Sequence, residues 1–157
     1  MNTGRDTPGV IAPPPLIYLG FLLAAAGLGW LLGEPSLGLP DQVRRIAAVV
    51  LVAVGLMLDG AAAFAFRRAG TAVEPWKPST AIVAAGPYRF SRNPIYVGFT
   101  LAFIGFAVGM DSPVALACLI PCMIIVDRFV IAREERYLEA KFGDAWRAYA
   151  RTVRRWL

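Results

Sequence analysis

Four apolar runs divide the chain: Leu16 to Leu32, Ile46 to Phe66, Ile95 to Val108 and Val114 to Ile131. The first two approach the ~20 residues a helix needs to cross a bilayer core. The third is shorter and rich in glycine. A backbone in lipid must satisfy its own polar groups, so the pattern predicts an all-α membrane protein, a bundle of about four transmembrane helices. From Arg133 onward the pattern changes. Leu138, Phe142, Ala145, Tyr149 and Val153 recur at helical spacing among arginines and acids, which predicts an amphipathic helix. It would lie on the membrane interface or fold back over the loop before the third span, with Gly143 as a mild bend. The chain thus divides, as one domain over 1–157, into a flexible lead (1–15), the spans (16–131) and a cytoplasmic helix (132–157). The lead is polar and ends in Pro13-Pro14-Pro15, a flexible or polyproline-like composition. Its thin basic region, and the lack of an A-x-A site after the first run, argue against a cleaved signal peptide.

The connections differ in charge. Gly33 to Gln42 is a turn-rich loop, and Met110-Asp111-Ser112-Pro113 is a tight turn without a single lysine or arginine. The long connection from Ala69 to Arg92 follows Arg67 and Arg68 and holds Lys77, Arg89 and Arg92; the tail holds Arg133, Arg136, Lys141, Arg147, Arg151, Arg154 and Arg155. Lysine and arginine collect on the cytoplasmic side of membrane proteins. Both termini and the long loop are therefore expected in the cytoplasm, with Arg44 and Arg45 as a minor exception. A connection as long as the second one is more often functional than idle.

The 157 residues are 57% hydrophobic, carry a formal charge of +5 and include no histidine. The length fits one domain. Imidazole-based catalysis, histidine-ligated metal sites and triads with a histidine base are excluded. Cys118 and Cys122, one turn apart in an apolar run, read as small apolar residues on one helix face. No Rossmann glycine pattern or phosphate loop is apparent, and neither a metal nor a nucleic-acid partner is expected. Asp59 lies within the second run, and Asp127 and Arg128 near the end of the fourth. Charges at membrane depth face a cavity or a partner: Asp59 is read either as a cavity wall or as the partner of Arg128.

Chemistry concentrates in Gly86-Pro87-Tyr88-Arg89-Phe90-Ser91-Arg92-Asn93-Pro94-Ile95-Tyr96-Val97-Gly98. Two arginines, two tyrosines and two prolines are held there against the start of an apolar run. Pro94 suits a first helical turn, and Asn93 would then occupy the N-cap, a role its amide favours. The tyrosines have a lesser alternative reading as interfacial aromatics, and Arg89 and Arg92 read first as positive-inside anchors.

This stretch resembles the G-x-Y-x-x-x-R-H-P-x-Y-x-G signature of the isoprenylcysteine carboxyl methyltransferase and phospholipid methyltransferase superfamily, with Asn93 in place of the usual histidine. Glu134-Glu135-Arg136-Tyr137-Leu138-Glu139-Ala140-Lys141-Phe142-Gly143 is similar to that family's second element, a glutamate pair followed by leucine and Phe-Gly. The resemblance covers the C-terminal half. It implies S-adenosylmethionine as cofactor, with contacts from Tyr88, Asn93, Pro94, Ile95, Tyr96 and Glu134, and from Thr80, Ala81, Ile82 and Val83 ahead of them. Glu134 and Asn93 are the implied catalytic residues. An amide donates and accepts hydrogen bonds, so Asn93 keeps that part of an imidazole's role and loses proton transfer. Methyl transfer is a direct displacement that mainly requires alignment, so a chain without histidine remains competent for it.

The resemblance also implies a lipid or prenylated acceptor, a small molecule or a protein, reached from the surrounding membrane lipids. Prenylcysteine methyltransferases place an arginine one helical turn before the first glutamate, where this chain has Val130. Arg128 and Arg133 are the nearest candidates for substrate binding. The expected setting is a bacterial inner (cytoplasmic) membrane. The alternative reading is a non-catalytic membrane protein that retains a lipid- or cofactor-binding pocket.

Overall fold

The computed structural model describes residues 6–157; residues 1–5 of the expected lead lie outside it. The described chain is all-helical: α1 (Pro14–Leu32), α2 (Asp41–Arg68), a single 3-10 turn (Gly86–Arg89), α3 (Pro94–Gly109), α4 (Pro113–Val126), a π-helical turn (Asp127–Ile131), α5 (Ala132–Phe142) and α6 (Asp144–Thr152). Three continuous helices are long and apolar enough to cross a membrane: α1, α2, and the 30-residue rod Pro113–Phe142 formed by α4, the π turn and α5. At ~1.5 Å per residue that rod is about 45 Å long. This exceeds the ~30 Å hydrocarbon core, so its charged last turns stand outside it. Helix α3, with 16 residues, reaches only about 24 Å. The expectation of four spans thus resolves into three full-length crossings and one short apolar helix.

Glycines bring α3 against α2. A Cβ on Gly98 would sit 2.8 Å from the Gly55 carbonyl oxygen and inside the Asp59 carboxylate, and one on Gly105 would meet the Ala48 carbonyl oxygen at 2.9 Å. Close backbone approach of this kind is how helices pack in lipid, where the hydrophobic effect gives no drive for association. The core runs along α1, α3 and the long rod: Tyr18, Phe103, Cys122, Val126, Val130 and Ile131 are buried together. Cys122 is a buried free thiol within that core, as the spacing suggested.

At the end of the bundle away from the signature stretch, Glu34 accepts from Ser112 Oγ (2.8 Å) and from the amide of Val114 (2.9 Å). Ser112 itself caps α4 through the Ala115 amide. Arg44 donates to the Gly109 carbonyl at 2.9 Å, which gives this cation a local role. At the opposite end the first described residues meet α5. Asp6 accepts from Tyr137 and Lys141, and the Gly9 carbonyl accepts from Arg133. From Asp6 onward the expected flexible lead is tied to α5.

The C-terminal amphipathic helix differs from expectation. Gly143 adopts φ +52°, a region that favours glycine, and it ends α5 outright. The first part of the expected helix prolongs the long rod. The second part, α6, folds back over the signature loop, where the Tyr149 hydroxyl donates to the Tyr88 carbonyl at 2.8 Å.

Candidate active site

Proline organises the signature stretch. A residue before proline is driven out of the helical region, and Asn93 sits at φ −130°, ψ 50° while Pro94 begins α3. Asn93 occupies the N-cap position but its side chain makes no capping bond. Its Nδ2 donates instead to the Arg155 carbonyl at 2.9 Å. The expected capping role is corrected accordingly: the amide is spent on the C-terminal tail.

One turn further, Tyr96 points toward α5 and its hydroxyl donates to Glu134 Oε1 at 2.8 Å. That bond joins the two sequence elements across 38 positions. A π turn lies just before Glu134. Such a turn takes in an extra residue and rotates the helix beyond it, and it is frequent at functional sites. Glu134 Oε2 accepts nothing among the described residues, so one carboxylate oxygen is left for a ligand. Tyr88, held in the 3-10 turn, packs its ring against Phe66 with centroids 5.2 Å apart. Burial, reinforced by nearby Glu134, raises its pKa well above the usual tyrosine value, so its phenol stays neutral.

These groups line a cavity of about 260 Å³. Of the residues implied by the sequence, Ala81, Ile82, Val83, Tyr88, Asn93, Ile95, Tyr96 and Glu134 all line it. The others have different placements. Thr80 is exposed and braces the loop, its hydroxyl donating to the Gly70 carbonyl and its amide to Thr71 Oγ1. Pro94 is buried at the start of α3. Arg128 is largely exposed beside Asp127, and Arg133 holds Gly9; neither is on the cavity wall. Val130, at the family's arginine position, is fully buried in the core.

Asp59 is neither a cavity wall nor a partner of Arg128. Its carboxylate lies against Gly98, and its buried Oδ1 has no hydrogen-bond partner among the described residues.

Several lining residues carried no functional reading in the sequence. Phe66 of α2, Trp76 of the long loop, Tyr137 of α5 and Trp146 of α6 add aromatic walls. Arg92 and Glu135 also line the cavity and are paired at 3.0 Å, both largely shielded from solvent. Arg92 is therefore more than a membrane anchor, whereas Arg89 is exposed as expected. A tryptophan on an otherwise charged tail helix was the available signal for Trp146. Nothing local distinguished Trp76.

A family model for phospholipid methyltransferase matches residues 43–145, a stretch that runs from α2 to the start of α6 and contains both sequence elements. The chain belongs to the phospholipid methyltransferase family. This is a family of membrane methyltransferases, and the membrane-spanning helices agree with it. An uncharacterized protein of Haemophilus influenzae (strain ATCC 51907 / DSM 11121 / KW20 / Rd) is 38% identical over 63 residues, which are 40% of this chain and the whole of that protein. No solved structure matches.

The lining fits the family's methyl donor by its chemistry. S-Adenosylmethionine carries a sulfonium, an ammonium and a carboxylate, joined to a polar ribose and a flat aromatic adenine. The unspent oxygen of Glu134 suits a cation, and aromatic faces such as Tyr88, Tyr96 and Trp146 attract one as well.

Proposed function

We propose that the chain is an S-adenosylmethionine-dependent methyltransferase, similar to the isoprenylcysteine carboxyl methyltransferases in architecture, that acts on a lipidic acceptor at the cytoplasmic face of a bacterial inner membrane. The observation that carries this reading is the Tyr96–Glu134 hydrogen bond inside the cavity, which unites both family elements on one wall. Bound there, the cofactor supplies an electrophilic methyl group. Glu134 would hold its cationic portion, Asn93 would offer Oδ1 as an acceptor, and the Ala81-Ile82-Val83 segment would form the apolar floor. Aligning the reactants in a site shielded from water is the main demand of a direct displacement.

The acceptor is best read as a lipid whose nucleophile is an amine. Both a prenylated carboxylate and a phospholipid amine match the apolar walls, to which Pro8 of the lead and Pro14 and Pro15 at the start of α1 contribute. A carboxylate, however, would need a cation. Arg92 is the cationic lining residue among those described, and it is already paired with Glu135. Arg128 and Arg133, expected as substrate-binding residues, would serve instead at the surface.

The second reading, a binding pocket without turnover, is favoured by one observation: the amide at the family's histidine position is bonded to a backbone carbonyl. The test is methyl transfer itself. The protein in detergent, given donor labelled in its methyl group and a total membrane lipid extract, is expected to move label into an amine-containing lipid, and Glu134→Gln to abolish most of that transfer. Binding of the donor with no labelled lipid would favour the non-catalytic pocket.

A further inference from the structure

The segment after α6 is extended and runs back across the signature stretch. Val153 leaves the helical region at φ −121°, ψ 133°, and Trp156 packs against the main core. Between them the backbone is tied to the signature at three consecutive residues. The Arg92 amide donates to the Arg154 carbonyl at 2.8 Å. The Arg155 carbonyl accepts from both Ser91 Oγ (3.3 Å) and Asn93 Nδ2 (2.9 Å). The Arg92 guanidinium also donates to the carbonyls of Ala150 and Val153.

The side chain of Arg155 turns the other way. Its Nη2 donates to Glu135 Oε2, and its Nη1 lies 3.4 Å from Asp127, at the start of the π turn. Glu135 Oε1 is meanwhile held by Arg92. One residue therefore grips Asn93 through its backbone, and through its guanidinium the neighbour of Glu134 and the turn that orients it. The contacts form a closed ring from Asn93 through Arg155 and Glu135 back to Arg92.

We propose that Arg155 is a positioning residue for the cofactor cavity: it fixes the separation of Asn93 and Glu134 without lining the cavity itself. Two members of the ring, Arg92 and Glu135, are shielded at 14% and 15% side-chain exposure, while Arg155 closes it from the more open side at 37%. A charge-assisted bond of this kind is directional and stronger than a neutral one. The small volume it governs leaves little tolerance. An ångström of misplacement in such a site is enough to cost about a hundredfold in rate.

The proposal rests on the reading of this cavity as the cofactor site, and the experiment separates the two. Binding of S-adenosylhomocysteine to the full chain in detergent is measured for the unaltered protein, Arg155→Ala and Arg155→Lys, with the ligand-free thermal midpoint of each recorded alongside. Arg155→Ala is expected to weaken binding at least tenfold while its ligand-free midpoint stays within a few degrees. Arg155→Lys keeps a cation between Glu135 and Asp127 but not the fork that reaches both, so it is expected to recover only part of the binding lost in Arg155→Ala. If Arg155→Ala is not recovered folded, Arg155→Gln is read in its place. Unaltered binding in the neutral variant overturns the positioning role alone. Full binding by the lysine variant also overturns it, because a point charge without the fork would then suffice. No binding by the unaltered protein overturns both this proposal and the cofactor reading.

Discussion

The hydroxyl of Tyr96 donates to Oε1 of Glu134 at 2.8 Å, so the first turn of α3 and the first turn of α5 are fixed to each other inside the cavity. The bond uses one carboxylate oxygen and leaves the other. Removing it with Tyr96→Phe keeps the ring and its packing against Phe99 but strips a hydrogen bond from a largely enclosed carboxylate. Bonds to charged groups contribute about 1.5–3 kcal/mol. The phenylalanine variant is expected to lose stability in that range, read as a lower thermal midpoint, and an unchanged midpoint would show that the bond contributes nothing.

Gly98 is the last residue of the signature, and its role here is packing. Gly98→Ala would drive a methyl into the Asp59 carboxylate and the Gly55 carbonyl. Overpacking of this sort costs about 1–3 kcal/mol. Gly60 lies on the same helix as Gly55, and a methyl group added to it would meet nothing within 4 Å. Gly60→Ala is therefore the matched control and is expected to be neutral or mildly stabilising. Equal effects of the two substitutions on the thermal midpoint would contradict the close α2–α3 approach.

Asn93 separates two accounts of the residue that replaces the family histidine. As a donor to the Arg155 carbonyl, Asn93→His keeps an N–H and should hold stability and cofactor affinity within a few fold. Asn93→Leu removes the amide donor and leaves the Arg155 carbonyl only the 3.3 Å contact from Ser91 Oγ, and should cost about 0.5–1.5 kcal/mol. Asn93→Asp decides most sharply. A carboxylate is a good N-cap but cannot donate when ionised, so it should destabilise as the leucine does. An aspartate variant as stable as the unaltered protein would restore the capping account.

Orientation follows from charge. Asp6 and Lys141 lie together at the end of the bundle that carries the signature loop, and that end holds most of the lysine and arginine. The positive-inside rule predicts that reporter fusions at Leu157 are active only when the reporter works in the cytoplasm. Activity of a periplasm-dependent reporter at that position would reverse the orientation.

The parts of the site that were legible in the sequence are those written in local pattern. The spans appear as apolar runs; α1 and α3 end close to their runs, whereas α2 begins five residues before its run and the fourth helix continues eleven residues past its run. Tyr88, Asn93, Ile95, Tyr96 and Glu134 are marked by two short motifs and Ala81 to Val83 by the family segment ahead of the first, and they share one cavity. The features that stayed hidden depend on long-range closure. The π turn at Asp127–Ile131 makes α4 and α5 one rod, and no residue type there announces it. The positive φ of Gly143 breaks the single helix that the amphipathic spacing suggested. Arg92 looked like an anchor because its partner Glu135 is 43 residues away. Asn93 looked like a cap because the carbonyl it bonds belongs to a tail with no motif of its own.

The central claim is that this cavity holds S-adenosylmethionine through Glu134. Calorimetric titration of the detergent-solubilised protein with S-adenosylhomocysteine tests it most directly. The account predicts saturable binding by the unaltered chain that weakens at least tenfold, about 1.4 kcal/mol, in Glu134→Gln, with the ligand-free thermal midpoints of the two proteins close together. Absence of binding by the unaltered protein, or equal affinity in the glutamine variant, would contradict it.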